Sequence, residues 1–380
     1  MTAANGISGR VAPGFESVRA AFEANFRVRG ELGAAFAAYR DGEPVVDLWG
    51  GTADRASERP WKEDSLQLIF SGTKGLVATC VLVLLDRGVL ALDDPVAKHW
   101  PEFAAAGKED VRVRDLVAHT ARLPALQQQV SVDEILDDRR MAALLAAQPQ
   151  SDDPRAAACY HALTFGWLVG ELIRRADGRS VGRFFADEVA APLALELWIG
   201  LPGRHASRVT TIEPSPAPAV EDTDPLSRQV WANPPIWEPD VFGFNRPDLH
   251  ACEMPAVNGI GTARALARLY GCLAIGGALA DVRIVSADAI ELGQQPLSVR
   301  REPVGDVETA FGVGFRLPTS AGEYGPVERA FGHTGAGGSV HGAWPDHGIG
   351  FSYAMNRMSN DANDVRAASL LDALATSVER

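Results

Sequence analysis

The 380-residue sequence predicts an α+β protein: an antiparallel sheet flanked by helices, with a mostly helical domain inserted between its two halves. Three observations point there. Strand patterns open the chain, helical periodicities fill its middle, and strand patterns return near its end. Two strand sets at opposite ends of one chain pack most simply as a single sheet, which terminal amphipathic helices can cover. The expected division is a sheet domain from residues 1–62 and 256–380 and a mostly helical domain over 63–255. An aromatic-rich loop region at 204–258 completes the second.

The elements follow in order. Phe15, Val18, Phe22 and Phe26 recur at helical spacing and predict an opening helix. Ala34–Tyr39 and Val45–Trp49 read as strands, with Asp41-Gly42 as the hairpin turn between them. Leu66–Phe70 leads into a helix from about Gly72 to Asp86 that Gly88 stops. That helix is apolar nearly all round, the mark of a buried central helix. Helical patterns continue over Leu116–His119, Asp133–Ala147, Thr164–Ala176 and Val181–Val189. Arg204–Asn258 is rich in Pro and carries Trp231, Trp237, Phe242 and Phe244, so it reads as packed loop rather than linker. Thr262 looks like the N-cap of a helix running to about Ile275. Strands at Phe311–Leu317, Val340–Trp344 and Ile349–Met355 and a helix at Val365–Val378 close the chain.

Composition narrows the function. A hydrophobic content of 46% and a charged content of 22% are those of a globular protein with ample core. The formal net charge of −13 argues against a nucleic-acid partner or an anionic membrane surface. No apolar run reaches the ~18 residues of a spanning helix, and Met1–Arg10 has no apolar h-region. The four cysteines form no Cys-x-x-Cys pair. The expectation is a cytoplasmic protein with reduced thiols. The eight His are scattered and no His-Glu-x-x-His occurs, so neither a metal nor an organic cofactor is expected. No Gly-x-Ser-x-Gly, Walker-type or dinucleotide motif is present either.

The motif with chemical content is Ser71-Gly72-Thr73-Lys74. A serine hydroxyl needs a base to become a nucleophile, and residues i and i+3 share one face of a helix. At the helix start the Ser71 N–H is an orphan donor, suited to half of an oxyanion hole. A partly buried Lys74 beside that positive helix end would be pushed toward its neutral, proton-accepting form. Chance matches to Ser-x-x-Lys are a real risk, but a Lys is otherwise unwelcome on a helix this apolar. Tyr160 opens a helical stretch after a loop, where it serves either as a catalytic phenol or as an ordinary half-buried ring. His333-Thr334-Gly335-Ala336-Gly337-Gly338 reads either as a strand edge that approaches a ligand closely or as a plain Gly-rich turn.

Taken together, these stretches resemble the serine β-lactamase and penicillin-binding-protein superfamily, in its class C-like branch, and within it the family VIII carboxylesterases. Leu116-Val117-Ala118-His119-Thr120 is similar to the family's Leu-Leu-x-His-Thr segment, Tyr160-His161-Ala162 to its Tyr-x-Asn, and His333-Thr334-Gly335 to its Lys-Thr-Gly. The resemblance covers Phe26 to the C-terminus and implies a β-lactamase/transpeptidase-like fold. It implies Ser71 as nucleophile, Lys74 and Tyr160 as general bases, and the amides of Ser71 and Ala336 as oxyanion hole. As a base Tyr160 would need Lys74 nearby to favour its phenolate.

Two departures bear on substrate. His333 replaces a Lys, removing a fixed positive charge that a carboxylate would seek. Ala162 replaces an Asn, removing an amide that could hold a substrate amide. Both point to neutral esters rather than β-lactams. His161, His333 and Gly335 are candidates for substrate contact, and so are Trp231, Trp237, Phe242 and Phe244 as an apolar wall. A structural role for His161 and for the aromatic loop is as good a reading. The expected function is an esterase acting through an acyl group on Ser71, with a small ester or acyl compound as partner. Acyl transfer by the same catalytic set, amide or weak β-lactam hydrolysis, and a non-catalytic binding homologue are the alternatives. Oligomeric state is not legible.

Overall fold

The computed structural model describes residues 6–215, 224–238 and 242–379. Its centre is a ten-stranded antiparallel sheet drawn from both ends of the chain. The main strands are β1 (Ser8–Val11), β2 (Gly33–Arg40), β3 (Glu43–Asp54), β4 (Ser298–Glu302), β5 (Val307–Phe311), β6 (Arg316–Leu317), β7 (Phe331–Thr334), β8 (Val340–Trp344) and β9 (Ile349–Met355). They lie in the order β1-β3-β2-β9-β8-β7-β6-β5-β4, and Arg59–Pro60 pairs onto β3. The two chain ends meet where β9 runs against β2, with Ser352 opposite Ala37. The β2–β3 hairpin turns at Asp41 and Gly42, both at positive φ (51° and 85°), as a tight two-residue turn requires.

Helices cover both faces. On one, α1 (Glu16–Val28) and a closing helix, Arg366–Val378, bury Val18, Phe22, Leu370 and Leu374 against Phe36, Leu48, Trp344 and Phe351. On the other lies Ala263–Ala274, whose Ala263 and Ala267 pack on Ala37 and Ala354. The approach is so close that a methyl on Gly350 would sit 1.9 Å from the Gly271 nitrogen. Thr262 caps this helix, its hydroxyl accepting the Ala265 N–H at 3.1 Å. Beyond it stand α2 (Thr73–Asp86), with Thr73 through Leu84 all buried, and α3 (Thr164–Asp177), ended by Gly178 at φ 97°. In chain order these three are α2, α3 and α4 (Ala263–Ala274), and the closing helix is α5.

Several elements differ from expectation. The single strand read at Phe311–Leu317 is broken into β5 and β6 by a turn with Gly314 at φ 75°. Strand β4 was not anticipated, because Ser-Val-Arg-Arg-Glu lacks the apolar face of a core strand; it is a sheet edge. Leu197–Ile199, in a stretch read as helical, is a strand beside Gly259–Gly261, with Gln67–Leu68 on the other side. The 204–258 region is packed, with helices Pro225–Trp231 and Pro247–Ala251 and Ile236, Phe244 and Leu249 in the core. Its residues 216–223 and 239–241 lie outside the described residues. Among those described, no helix is long and apolar enough to cross a membrane.

Candidate active site

The site forms where the start of α2 meets β7. Phe70 takes a left-handed φ of 47°, a conformation that costs a bulky residue about 1–3 kcal/mol. Its ring is held by neighbours: Trp237 stacks on it at 5.8 Å between centroids and Phe244 meets it edge-on at 5.0 Å. The turn leaves Ser71 at the head of α2. The N–H groups of Gly72, Thr73 and Lys74 bond to the carbonyls of Ile69, Phe70 and Ser71. The Ser71 N–H donates to no backbone carbonyl among the described residues.

The glycines of Ser-Gly-Thr-Lys-Gly set how near α2 comes to its neighbours. A methyl on Gly72 would lie 2.6 Å from His341 Cδ2, and one on Gly75 would lie 2.0 Å from the Tyr270 hydroxyl. Only a helix without those methyls can lie this close to β8 and α4.

Lys74 is wholly buried. Its Nζ lies 3.1 Å from Ser71 Oγ and donates to the carbonyls of Ala162 (2.8 Å) and Ala256 (3.1 Å). Burial holds its pKa well below the usual lysine range. Two carbonyls use the two hydrogens of a neutral amine, which leaves its lone pair for the Ser71 hydroxyl. Tyr160 stands beside it, with Nζ 4.8 Å from the centre of the ring. Enclosure raises the phenol pKa, and the Ser71 hydroxyl and the Arg316 charge offset only part of that. Burial thus opposes the phenolate that a base role would need, and Lys74, itself driven toward neutrality by burial, offers little cation to stabilise it.

His333 on β7 faces this phenol, its Nε2 3.5 Å from the Tyr160 oxygen. Its Nδ1 lies 2.7 Å from the Thr334 carbonyl, so Nδ1 carries the hydrogen and Nε2 presents a lone pair. Burial, with Lys74 as the next largest influence, pushes its pKa well below the ordinary value. Past β7 the chain turns through Gly337 and Gly338 at φ 82° and 114°. Gly335 N–H bonds to Ser339 O at 2.9 Å, while the Ala336 N–H donates to no backbone carbonyl among the described residues. Ser71, Tyr160, His333, Gly335 and Ala336 line one cavity of about 260 Å³. Val230, Trp231, Val307 and Phe311 form its apolar wall, and Glu302, Thr309, Arg316 and Thr334 its polar one.

Other expected contacts fall elsewhere. His161 is not in the cavity: Nδ1 faces the Cys159 carbonyl at 3.0 Å and Nε2 accepts the Leu123 N–H at 3.1 Å. With both nitrogens occupied and its pKa pushed down to about 3 by burial, it is a neutral structural histidine. Of the four aromatics, Trp231 lines the cavity, whereas Trp237, Phe242 and Phe244 lie outside its lining. They form a cluster in which Phe244 meets Trp237 at 4.5 Å and Phe242 at 5.6 Å, behind Phe70.

The sequence reading missed the residues that β4 supplies. Ser298, Arg300 and Glu302 alternate along one face of that strand. Ser298 Oγ donates to Ala118 O (3.0 Å), and Arg300 donates to the carbonyls of Ala118, His119 and Ala158 (3.1, 2.9 and 2.9 Å). Glu302 accepts the N–H of Tyr160 at 3.3 Å and those of Val304 and Gly305 at 3.0 and 2.5 Å. The strand thus ties down the loops carrying His119 and Tyr160. The one available signal was the i, i+2, i+4 polar alternation, which an exposed edge strand shares.

Comparison with known proteins agrees with this geometry. The family model described as "Beta-lactamase" matches residues 19–375. The chain is 35% identical to the esterase/beta-lactamase LipL of Mycobacterium tuberculosis over 375 residues, covering 93% of this chain and 83% of that one. Among solved structures, a family VIII carboxylesterase superposes with a TM-score of 0.90 at 39% identity, covering 98% of this chain and 99% of its own. A penicillin-binding protein homologue from Caulobacter crescentus gives 0.89 at 37% identity, with 98% and 99% covered.

Proposed function

Because the chain belongs to the beta-lactamase family and has the β-lactamase/transpeptidase-like fold, we propose that it is a serine carboxylesterase acting through an acyl group on Ser71. The observation that carries the reading is the buried amine of Lys74, 3.1 Å from the Oγ of Ser71, which itself lines a cavity. Burial favours its neutral form, and that form can take the Ser71 proton. Ser71 Oγ then attacks the ester carbonyl. The amides of Ser71 and Ala336, which have no backbone carbonyl partner among the described residues, receive the developing oxyanion.

Collapse of the tetrahedral intermediate breaks the bond to the alcohol. Tyr160 gives its proton to that leaving oxygen and is reprotonated from Lys74, which returns to the neutral amine. Its protonated resting state suits this step. Water then attacks the acyl group, passes a proton through the same pair to Ser71 Oγ, and frees the acid. His333 Nε2 accepts the Tyr160 O–H and orients it. The LipL relative is named an esterase/beta-lactamase and the superposed structure a carboxylesterase, which supports esters within the substrate class.

The test is hydrolysis of p-nitrophenyl esters, acetate through octanoate, by the wild type and Ser71→Ala. Turnover in the wild type that vanishes in the variant is the expected result. Turnover that survives the substitution would remove Ser71 as nucleophile. An inert wild type would remove the esterase reading.

A further inference from the structure

The exchange of Lys for His at 333 suggests a site without a cation. Arg316 restores one. It lies on β6, adjacent to β7 in the sheet, and lines the catalytic cavity. Its Nη1 is 3.4 Å from Thr334 Oγ1, and its charge acts on both Tyr160 and His333.

The charge is not free. Arg316 Nη2 donates to Glu323 Oε1 at 2.7 Å. The two side chains are 20% and 11% exposed, so salt screens the pair little. Glu323 is fixed in turn by the Thr319 N–H at 3.2 Å and the Thr319 hydroxyl at 3.0 Å. Among the described residues that line the cavity, no other Arg or Lys adds a positive charge. Arg300 lies outside that lining, its guanidinium held by three carbonyls, and Glu302, a second carboxylate on the cavity wall, accepts three N–H groups. Burial drives Lys74 and His333 toward their neutral forms.

We infer that the Arg316–Glu323 pair sets substrate charge: it gives the polar wall hydrogen-bond donors without net positive charge, so the site accepts neutral esters and discriminates against esters whose acyl chain ends in a carboxylate. A carboxylate that enters must give up its hydration, and the attraction of Arg316 that would offset this is cancelled by Glu323 alongside. A neutral carbonyl or ether oxygen meets the same donors at far smaller desolvation cost. The inference rests on the esterase reading and deepens it.

The experiment compares p-nitrophenyl butyrate with the mono-p-nitrophenyl ester of glutaric acid, which has the same reacting carbonyl and a terminal carboxylate. The readout is the ratio of their kcat/KM values. The wild type should favour butyrate. Glu323→Gln leaves Arg316 unpaired and should raise the glutarate-to-butyrate ratio by about tenfold or more, the worth of one hydrogen bond to a charged group. Arg316→Gln leaves Glu323 unpaired and should lower the ratio by about as much. The substitutions push in opposite directions, so loss of either protein to misfolding leaves the other to decide. Ratios within about twofold of wild type, with butyrate still turned over, would overturn the inference and leave the esterase reading standing. A wild type that hydrolyses neither ester would overturn both.

Discussion

Glu302 offers the sharpest test of how the Tyr160 phenol is positioned. Its carboxylate is 6% exposed and accepts three backbone N–H groups, one of them that of Tyr160 itself. Glu302→Ala would strand all three donors. Val304 is half-buried and Gly305 exposed, so water can reach their amides at least in part. The Tyr160 amide has no other acceptor among the described hydrogen bonds. Counting about 1–3 kcal/mol for each poorly hydrated donor, the expected loss of stability is about 2–4 kcal/mol. With an unfolding entropy of ~2.1 cal/mol/K per residue, that corresponds to a melting temperature lower by about 4 °C. The catalytic effect should be larger in proportion. A displacement of about 1 Å in a positioned group costs up to about a hundredfold in rate, so kcat should fall about ten- to a hundredfold. KM should stay within about threefold, because the proton transfer is felt in the transition state rather than in ground-state binding. Glu302→Gln keeps one carbonyl oxygen for the Tyr160 amide and should recover part of kcat, which a bulk structural defect would not allow. The assay is steady-state hydrolysis of p-nitrophenyl butyrate beside a thermal melt. An Ala variant with wild-type kcat and a lowered melting temperature would refute the positioning argument and reduce Glu302 to a turn-stabilising residue.

Three further outcomes are expected. Turnover should decline as pH falls through the lowered pKa of Lys74, because the protonated amine has no lone pair for the Ser71 proton; Lys74→Arg, which cannot deprotonate, should lose about 10²–10⁴-fold at every pH, and retention within about tenfold would rule out the base role. Tyr160→Phe keeps the ring and its packing but removes the proton carrier, so kcat should fall about 10²–10⁴-fold with an unchanged melt; a loss below about threefold would make Tyr160 a packing residue. Gly75→Ala drives a methyl to 2.0 Å from the Tyr270 hydroxyl and should cost about 1–3 kcal/mol in a thermal or denaturant melt. That hydroxyl is buried without a partner, so Tyr270→Phe should be nearly neutral alone and should relieve the Gly75→Ala defect; an additive double variant would contradict the clash.

Elements whose pattern depends on core packing were legible in the sequence. The β2–β3 hairpin, the buried α2, the capped α4 and the closing β8, β9 and α5 all carry apolar periodicity or turn chemistry that local physics imposes. Strand β4 was hidden because an edge strand has no core face to betray it. The split between β5 and β6 was hidden because Phe-Gly-Val-Gly-Phe alternates like a strand while Gly314 turns the chain at positive φ. At the site, Ser71, Tyr160, His333, Gly335 and Ala336 were named and line one cavity, and Lys74 was named and lies buried behind Ser71. His161 was named and lies apart, since nothing in a sequence reports that both ring nitrogens are already occupied. The aromatic stretch was read as either a pocket lining or a packed structural loop; Trp231 takes the first role, while Trp237 and Phe244 brace the strained Phe70 from behind.

The base itself marks the limit of what a motif conveys. Ser-x-x-Lys places an amine one helical turn from a hydroxyl, but an ordinary lysine there would be charged and useless as a proton acceptor. Burial lowers its pKa, and the two carbonyls decide which way the lone pair points. One carbonyl belongs to Ala162, in the loop that enters α3; the other belongs to Ala256, just before the Gly259–Gly261 strand. The three groups lie 88 and 182 residues apart in the chain. Any side chain can occupy a position whose only duty is to present a backbone carbonyl, so that part of the catalytic apparatus leaves no trace in residue identity. It exists only once α2, the Ala162 loop and the segment around Ala256 have closed on one another. This accounts for Gly72 within the motif and Gly75 just after it: they let α2 lie close to β8 and α4, and the aim of the Lys74 lone pair depends on that packing.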